Sequence, residues 1–224
     1  MAVASHLGIR LDEYDERIRT FIPGYEAMLD AAAEAVATTP SKTPHVVDLG
    51  TGTGALTRRV LSRLPSARIT GIDADPDILA LAAERLKDLP APTFVTGDFT
   101  SVPLPDCDGL VASLALHHIR TAEAKRAFYR RCRAALSRGG VLVSADCCPA
   151  FDRRLETDQF AAWRAHLRQT YSDAETTGYF AAWADEDVYF PLADELSMLA
   201  EAGFATEVVW RAGAMAVIVG RAGG

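Results

Sequence analysis

A chain of 224 residues, 49% hydrophobic and 24% charged, is long enough to bury the core of one globular domain and marginal for two. Its net charge of −7 argues against the domain-wide basic surface that nucleic-acid partners leave. Neither a basic leader before an apolar stretch nor a run near the ~18 apolar residues of a membrane span is found, so a cytoplasmic protein is expected.

Taken in order, residues 10–38 read as helical, with Tyr14, Ile18, Phe21 and Ile22 at helical spacing, an interruption at Pro23-Gly24, and an alanine-rich stretch from Glu26 to Ala37. The apolar run His45 to Leu49 predicts a strand leading into glycines, and a helix over 55–64 stops at Pro65. The alternation repeats: strand Ile69 to Ile72, helix Pro76 to Leu89, strands Thr93 to Val95 and Gly109 to Leu114, and helix Thr121 to Leu136. Gly139-Gly140 then turns the chain into strand Val141 to Ala145. Strands alternating with long helices imply βαβ units and a doubly wound, mostly parallel α/β sheet.

The rhythm breaks at the end. Glu207 to Trp210 and Met215 to Val219 are apolar runs joined by only a few residues, too short for a crossover, which predicts an antiparallel hairpin. Residues 150–190 hold Trp163, Tyr171, Tyr179, Phe180, Trp183, Tyr189 and Phe190; they read as a helical cap over the strand ends, or equally as a helical layer packed on the sheet. One domain spanning 1–224 is expected, with N-terminal helices over 1–40 and a cap insertion over 150–190.

Asp48-Leu49-Gly50-Thr51-Gly52-Thr53-Gly54 after a strand makes a tight turn whose backbone can approach a ligand, with the next helix N-terminus aimed at it. Gly50 to Ala55 also satisfies GxGxxA, so the loop alone fits NAD nearly as well. Asp73, 23 residues after Gly50, can accept from both ribose hydroxyls and would repel a 2′-phosphate. Asp98 followed by Phe99 suits an adenine pocket, with a turn cap before Thr100-Ser101 as the bland reading.

The set Val47-Asp48-Leu49-Gly50-x-Gly52-x-Gly54, Gly71-Ile72-Asp73, Gly97-Asp98-Phe99, Asp108 to Ser113 and Leu136 to Gly140, extended by Glu201-Ala202-Gly203-Phe204, resembles the ordered motifs of class I S-adenosyl-L-methionine (SAM)-dependent methyltransferases. The resemblance implies SAM as cofactor, held by Asp48, Gly50, Thr51, Gly52, Gly54, Asp73, Ala74, Asp98 and Phe99. Ile18 to Tyr25 is similar to the N-terminal segment of the carboxy-S-adenosylmethionine synthase group and nearby methyltransferases, which implies cofactor contacts from Tyr25 and Ser113. That group holds the extra carboxylate with an Arg, whereas residues 169–210 here contain no Arg or Lys, which favours unmodified SAM.

For methyl transfer the protein aligns a nucleophile and excludes water. His117 and His118 follow the fourth strand at the edge where open sheets bind ligands, with only one of them expected to face substrate; His117 is the candidate general base, and shaping the wall is its plain alternative. Asp146 could orient a substrate hydroxyl or amine, and Cys147 and Cys148 lie nearby. With Cys107 and Cys132 these make no CxxC pair, so reduced thiols without a zinc site or other metal are expected. His166 with Arg164 and Arg168 could bind an anion or form a solvated face. Arg120, Lys125, Arg126, Arg130, Arg131, Arg133 and Arg138 read mainly as a solvent-facing helix surface, with RNA contact a weaker option. The expected partner is a small-molecule acceptor; an enzyme using a modified SAM, a SAM-binding protein without catalysis, and a homodimer stay open.

Overall fold

The computed structural model describes residues 13–223; the expected helical start at residue 10 lies outside them. Helices α1 (Tyr14–Phe21) and α2 (Tyr25–Val36) precede β1 (His45–Leu49), α3 (Ala55–Arg63), β2 (Arg68–Asp73), α4 (Pro76–Arg85), β3 (Thr93–Thr96) and β4 (Cys107–Ser113). A 3₁₀ turn at Leu116–His118 leads to α5 (Ala122–Ala135), β5 (Leu136–Cys147), α6 (Arg153–Leu167), α7 (Asp173–Glu186), α8 (Leu192–Glu201), β6 (Phe204–Ala212) and β7 (Met215–Ala222).

The strands form one seven-stranded sheet in the order β3-β2-β1-β4-β5-β7-β6. Pairing is parallel from β3 to β5, and β7 runs antiparallel to both β5 and β6. The short link between the last two strands forces that reversal, as expected. The apolar run Met215 to Val219 is buried and fills the inner position, while β6 takes the edge and leaves Val208 and Val209 partly exposed.

Because successive strand residues point to opposite faces, the sheet carries two cores. Val46, Val111, Val143 and Val217 join α1, α2 and α3 in one; Val47, Leu110, Leu142 and Ile218 join α5 and α8 in the other. Local signals start the helices. Asp75, Thr121 and Asp152 accept from first-turn backbone amides, and Ser172 with Glu175 makes a capping box at α7.

Three local expectations are corrected. Helix α4 ends at Arg85 rather than Leu89: Leu86 packs so closely on Gly54 that a Cβ there would come within 2.8 Å of it. Strand β5 begins at Leu136, and the turn expected at Gly139-Gly140 is instead a register jump within it, from Cys107↔Leu136 to Gly109↔Val141. Lys125 does not lie on a solvated face. It is buried against Glu195 of α8, whose second oxygen accepts from Tyr129 Oη at 2.5 Å.

Three arginines of that cluster reach neighbours: Arg126 pairs with Glu201, Arg131 donates to the carbonyls of Thr100 and Val102, and Arg133 to that of Gly223. Removing one partner of a buried ion pair leaves the other charge uncompensated. Lys125→Met is therefore expected to lower unfolding free energy by about 3–5 kcal/mol, read from urea titration. Glu195→Gln in that background should recover part of the loss.

Candidate functional site

The carboxyl ends of β1, β2 and β4 open onto one cavity of about 960 Å³, within the range of small-ligand sites. At one end lie Gly50, Gly52, Asp73, Ala74, Asp98 and Phe99; at the other, Ser113, His117, His118, Trp163, Trp183, Asp187 and Tyr189. Tyr14, Ile18, Phe21 and Ile22 of α1 line it as well. Their helical spacing was legible, but nothing in the sequence said that the face they make looks onto a ligand site.

The glycine loop is braced from below and above. The amides of Gly50 and Thr51 donate to the Ile72 carbonyl, and Asp73 Oδ2 accepts from Gly52 N at 2.9 Å while Oδ1 accepts from Asp75 N at 3.0 Å. Gly52 adopts φ 53, with open space where a Cβ would stand, so the backbone is bare toward the cavity. Thr53 Oγ1 donates to Asp15 of α1 at 2.6 Å, and Arg85 pairs with the same carboxylate, so α1 is clamped over the loop.

Asp98 Oδ1 accepts from both Thr100 N and Thr100 Oγ1, the turn-capping role, while the residue also lines the cavity. A carboxylate has about four acceptor sites, so neither Asp73 nor Asp98 is used up by these bonds. Phe99 packs edge-to-face on Phe128, with ring centroids 5.5 Å apart. These groups suit a nucleoside: a bare backbone turn, a carboxylate at the end of β2, and an acid beside an aromatic wall.

Four of the expected cofactor residues lie behind the wall rather than in it. Asp48 is buried and accepts from Thr57 Oγ1 at 2.5 Å, and Thr51 Oγ1 donates back to the Asp48 carbonyl. Gly54 is pressed against Leu86, and Tyr25 sits in the apolar core under α1 and α2. Burial, with a smaller push from Asp73, raises the Asp48 carboxyl to about 7.

At the far end the chain leaves β4 through Leu114, held at φ 51, and winds into the 3₁₀ turn. That turn has about three residues per turn rather than a strand's alternation, so both histidines reach the cavity where one was expected. Their rings meet edge-on, with centroids 4.3 Å apart. His117 is buried, and its Nδ1 lies 2.7 Å from Asp146 Oδ1. Asp146 therefore orients His117 first, rather than a substrate group.

Asp187, for which the sequence offered no signal, arrives after α7. Its Oδ1 lies 3.6 Å from His117 Nε2 and 3.2 Å from His118 Nδ1, and its Oδ2 accepts from Tyr189 Oη at 2.7 Å. A backbone bond from Val188 N to the His117 carbonyl, 3.0 Å, fixes this approach. Burial disfavours the charged imidazolium of His117, but the Asp146 and Asp187 carboxylates outweigh it and raise its pKa. Burial likewise opposes ionisation of Asp146, and the His117 charge and hydrogen bond overcome it, holding that carboxyl below its usual range.

The aromatic residues of 150–190 pack on α1 and reach the cavity. Tyr171, Tyr179 and Trp183 pack on Phe21 of α1, and Trp163 Nε1 donates to the Phe21 carbonyl at 2.6 Å. Trp163, Trp183 and Tyr189 also wall the cavity. Arg164 stacks over Phe180, and Arg168 pairs with Asp173. All four cysteines are free thiols and buried; burial raises Cys147 and Cys148 well above the usual thiol range, so they are poor nucleophiles. No described helix is long and apolar enough to cross a membrane.

A mostly parallel, hairpin-terminated sheet with this loop and these carboxylates defines a Rossmann-like nucleotide-cofactor fold. Residues 46–140 match the family described as a methyltransferase domain. The chain is 30% identical over 198 residues to an uncharacterized methyltransferase of Geobacillus thermodenitrificans, covering 87% of this chain and 81% of that one. It is also 30% identical over 197 residues to the uncharacterized methyltransferase YrrT of Bacillus subtilis, covering 86% and 80%.

Among solved structures, human N-acetylserotonin methyltransferase in complex with SAM superposes with TM-score 0.61 at 21% identity, over 100% of this chain and 61% of that one. An O-methyltransferase family 2 protein of Planctomyces limnophilus in complex with apigenin gives 0.67 at 20%, over 93% and 61%. The chain thus spans about three fifths of the length of these structures. It belongs to the class I SAM-dependent methyltransferases.

The buried Asp48 yields a signed expectation. With its folded pKa near 7 against an ordinary 3.8, the folded state binds more protons than the unfolded one between those values, so this group's contribution to stability falls as pH rises through that window. Asp48→Asn keeps an acceptor for Thr57 without the charge. Its melting temperature should exceed that of the parent at pH 8, with the gain shrinking toward pH 4; a gain independent of pH would contradict the assignment.

Proposed function

We propose that the chain, acting as a single cytoplasmic domain, transfers a methyl group from unmodified SAM to a small aromatic acceptor bearing an ionisable hydroxyl or amine. The observation that carries this reading is one continuous cavity running from Gly52, Asp73 and Asp98 to His117, with Trp163 and Trp183 as walls. When bound, SAM supplies a methyl group already activated on a sulfonium. Asp73 would hold the ribose, Asp98 and Phe99 the adenine, and Gly50, Gly52, Ala74 and Ser113 the rest. Asp48, Thr51 and Gly54 would act through the shape of the loop, and Tyr25 through the packing beneath α1.

His117, its Nδ1 fixed by Asp146, is offered to the acceptor as the group that takes up its proton. The aromatic walls exclude water and favour a flat apolar body, and the segment over 150–190 would set acceptor choice. Two structural neighbours support an aromatic acceptor: one is named for N-acetylserotonin and the other was solved with apigenin, both aromatic and hydroxylated. Asp185, Glu186 and Asp187 line the cavity and would repel a carboxylated cofactor. Four buried thiols without a disulfide fit a reducing compartment.

SAM and S-adenosylhomocysteine are expected to raise the melting temperature, whereas NAD(H) is not; stabilisation by NAD(H) alone would overturn the reading. Asp73→Ala removes the ribose acceptor and the brace on Gly52 together, and calorimetry should find SAM binding weakened about tenfold or more, roughly 1.4 kcal/mol. His117→Asn retains a donor toward Asp146 but no base. In a screen of phenols and aromatic amines its kcat should fall about a hundredfold with S-adenosylhomocysteine affinity unchanged; an undiminished kcat would remove His117 from the chemistry.

A further inference from the structure

The geometry points to a divalent transition-metal site at His117 Nε2, His118 Nδ1 and Asp187 Oδ1, at the acceptor end of the cavity. One donor atom from each of His117, His118 and Asp187 lies within 4.8 Å of the other two. Donors about 2.1 Å from one metal centre stand about 3.0–3.4 Å apart in octahedral or tetrahedral arrangements. Asp187 Oδ1 is 3.2 Å from His118 Nδ1, inside that range, and 3.6 Å from His117 Nε2, a few tenths of an ångström beyond it. The His118 side chain, 45% exposed, is the most exposed of the three, and a turn of its ring would adjust the remaining edge.

The surroundings are those of a prepared site. Metal-bound imidazoles usually give their other ring nitrogen to a carboxylate, which fixes the tautomer and ring plane. Here the His117 Nδ1 partner is Asp146, at 2.7 Å. The ligating carboxylate is oriented in the same way, since Asp187 Oδ2 accepts from Tyr189 Oη at 2.7 Å. Two buried carboxylates, Asp146 and Asp187, flank the buried imidazole of His117.

All three ligands line the cavity, so the positions they leave open lie on the acceptor side. Two imidazoles and one carboxylate select first-row divalent ions such as Zn²⁺, Mn²⁺, Fe²⁺ or Co²⁺ over Mg²⁺ and Ca²⁺, which prefer oxygen. Such an ion would lower the pKa of a coordinated acceptor hydroxyl, the proton passing to buffer, in place of its uptake by His117. This rests on the proposed methyl transfer to an acceptor at His117 and changes how that acceptor is activated.

The test is titration of EDTA-stripped protein with Co²⁺, followed by its visible absorption and by calorimetry, with Zn²⁺ as competitor. One equivalent per chain is expected, with affinity reduced tenfold or more in His118→Ala and in Asp187→Asn; circular dichroism verifies that both fold. His118 is half exposed, so its variant keeps the test valid if Asp187→Asn unfolds. Absence of saturable Co²⁺ uptake, or unchanged affinity in folded variants, overturns the site. S-adenosylhomocysteine stabilisation of metal-free protein is measured alongside: stabilisation without Co²⁺ uptake sinks the metal site alone, and Co²⁺ uptake without stabilisation sinks the SAM reading alone.

Discussion

The carboxylate of Asp146 organises the working edge of this protein. Buried at the end of β5, it accepts from the amides of Leu116, His117 and Cys147 and stands against the His117 ring. A buried charge is tolerated when its acceptor sites are filled, and here the filling groups are the turn that follows β4. One side chain thus locks the end of one strand to the loop after its neighbour. It fixes the height and plane of the imidazole and leaves the remaining ring nitrogen to the cavity. The backbone bond from Val188 to His117 then draws in the segment after α7, and Asp187 and Tyr189 arrive with it.

The opposite end of the cavity depends on α1. Asp15 ties that helix to Thr53 of the glycine loop and to Arg85, while Phe21 and Thr20 tie it to Trp163 of α6 and to Tyr171 in the link between α6 and α7. Helix α1 therefore touches both the loop that faces the nucleoside end and the wall that faces the acceptor end. Packing of this kind gives the two ends one shared boundary, so a displacement of α1 alters both at once.

Much of the fold was legible because its signals are local. The apolar runs at 45–49 and 215–219 and the short link before β7 each act within a few residues, and each element they foretold is present. Misreadings arose where a distant partner decided. Lys125 reads as surface until Glu195, 70 residues on, buries it. Leu86, the C-cap of α4, packs on Gly54, 32 residues earlier. The two histidines share the cavity because the chain coils there, which no alternation of side chains foretells.

The ordered glycines and acids, from Asp48 through Asp73 and Asp98, carried the resemblance to the family to which the chain belongs, and their residue types suit close approach of backbone to a nucleoside. Which of them reach the cavity was a tertiary matter. Asp48, Thr51, Gly54 and Tyr25 support its wall from behind, whereas Tyr14, Phe21, Trp163 and Trp183 form part of the wall itself. The joining of His117 with Asp146 and Asp187 was likewise beyond the sequence: these residues are separated by 29 and 41 positions, and only the sheet order and the path of the segment after α7 bring them within bonding range.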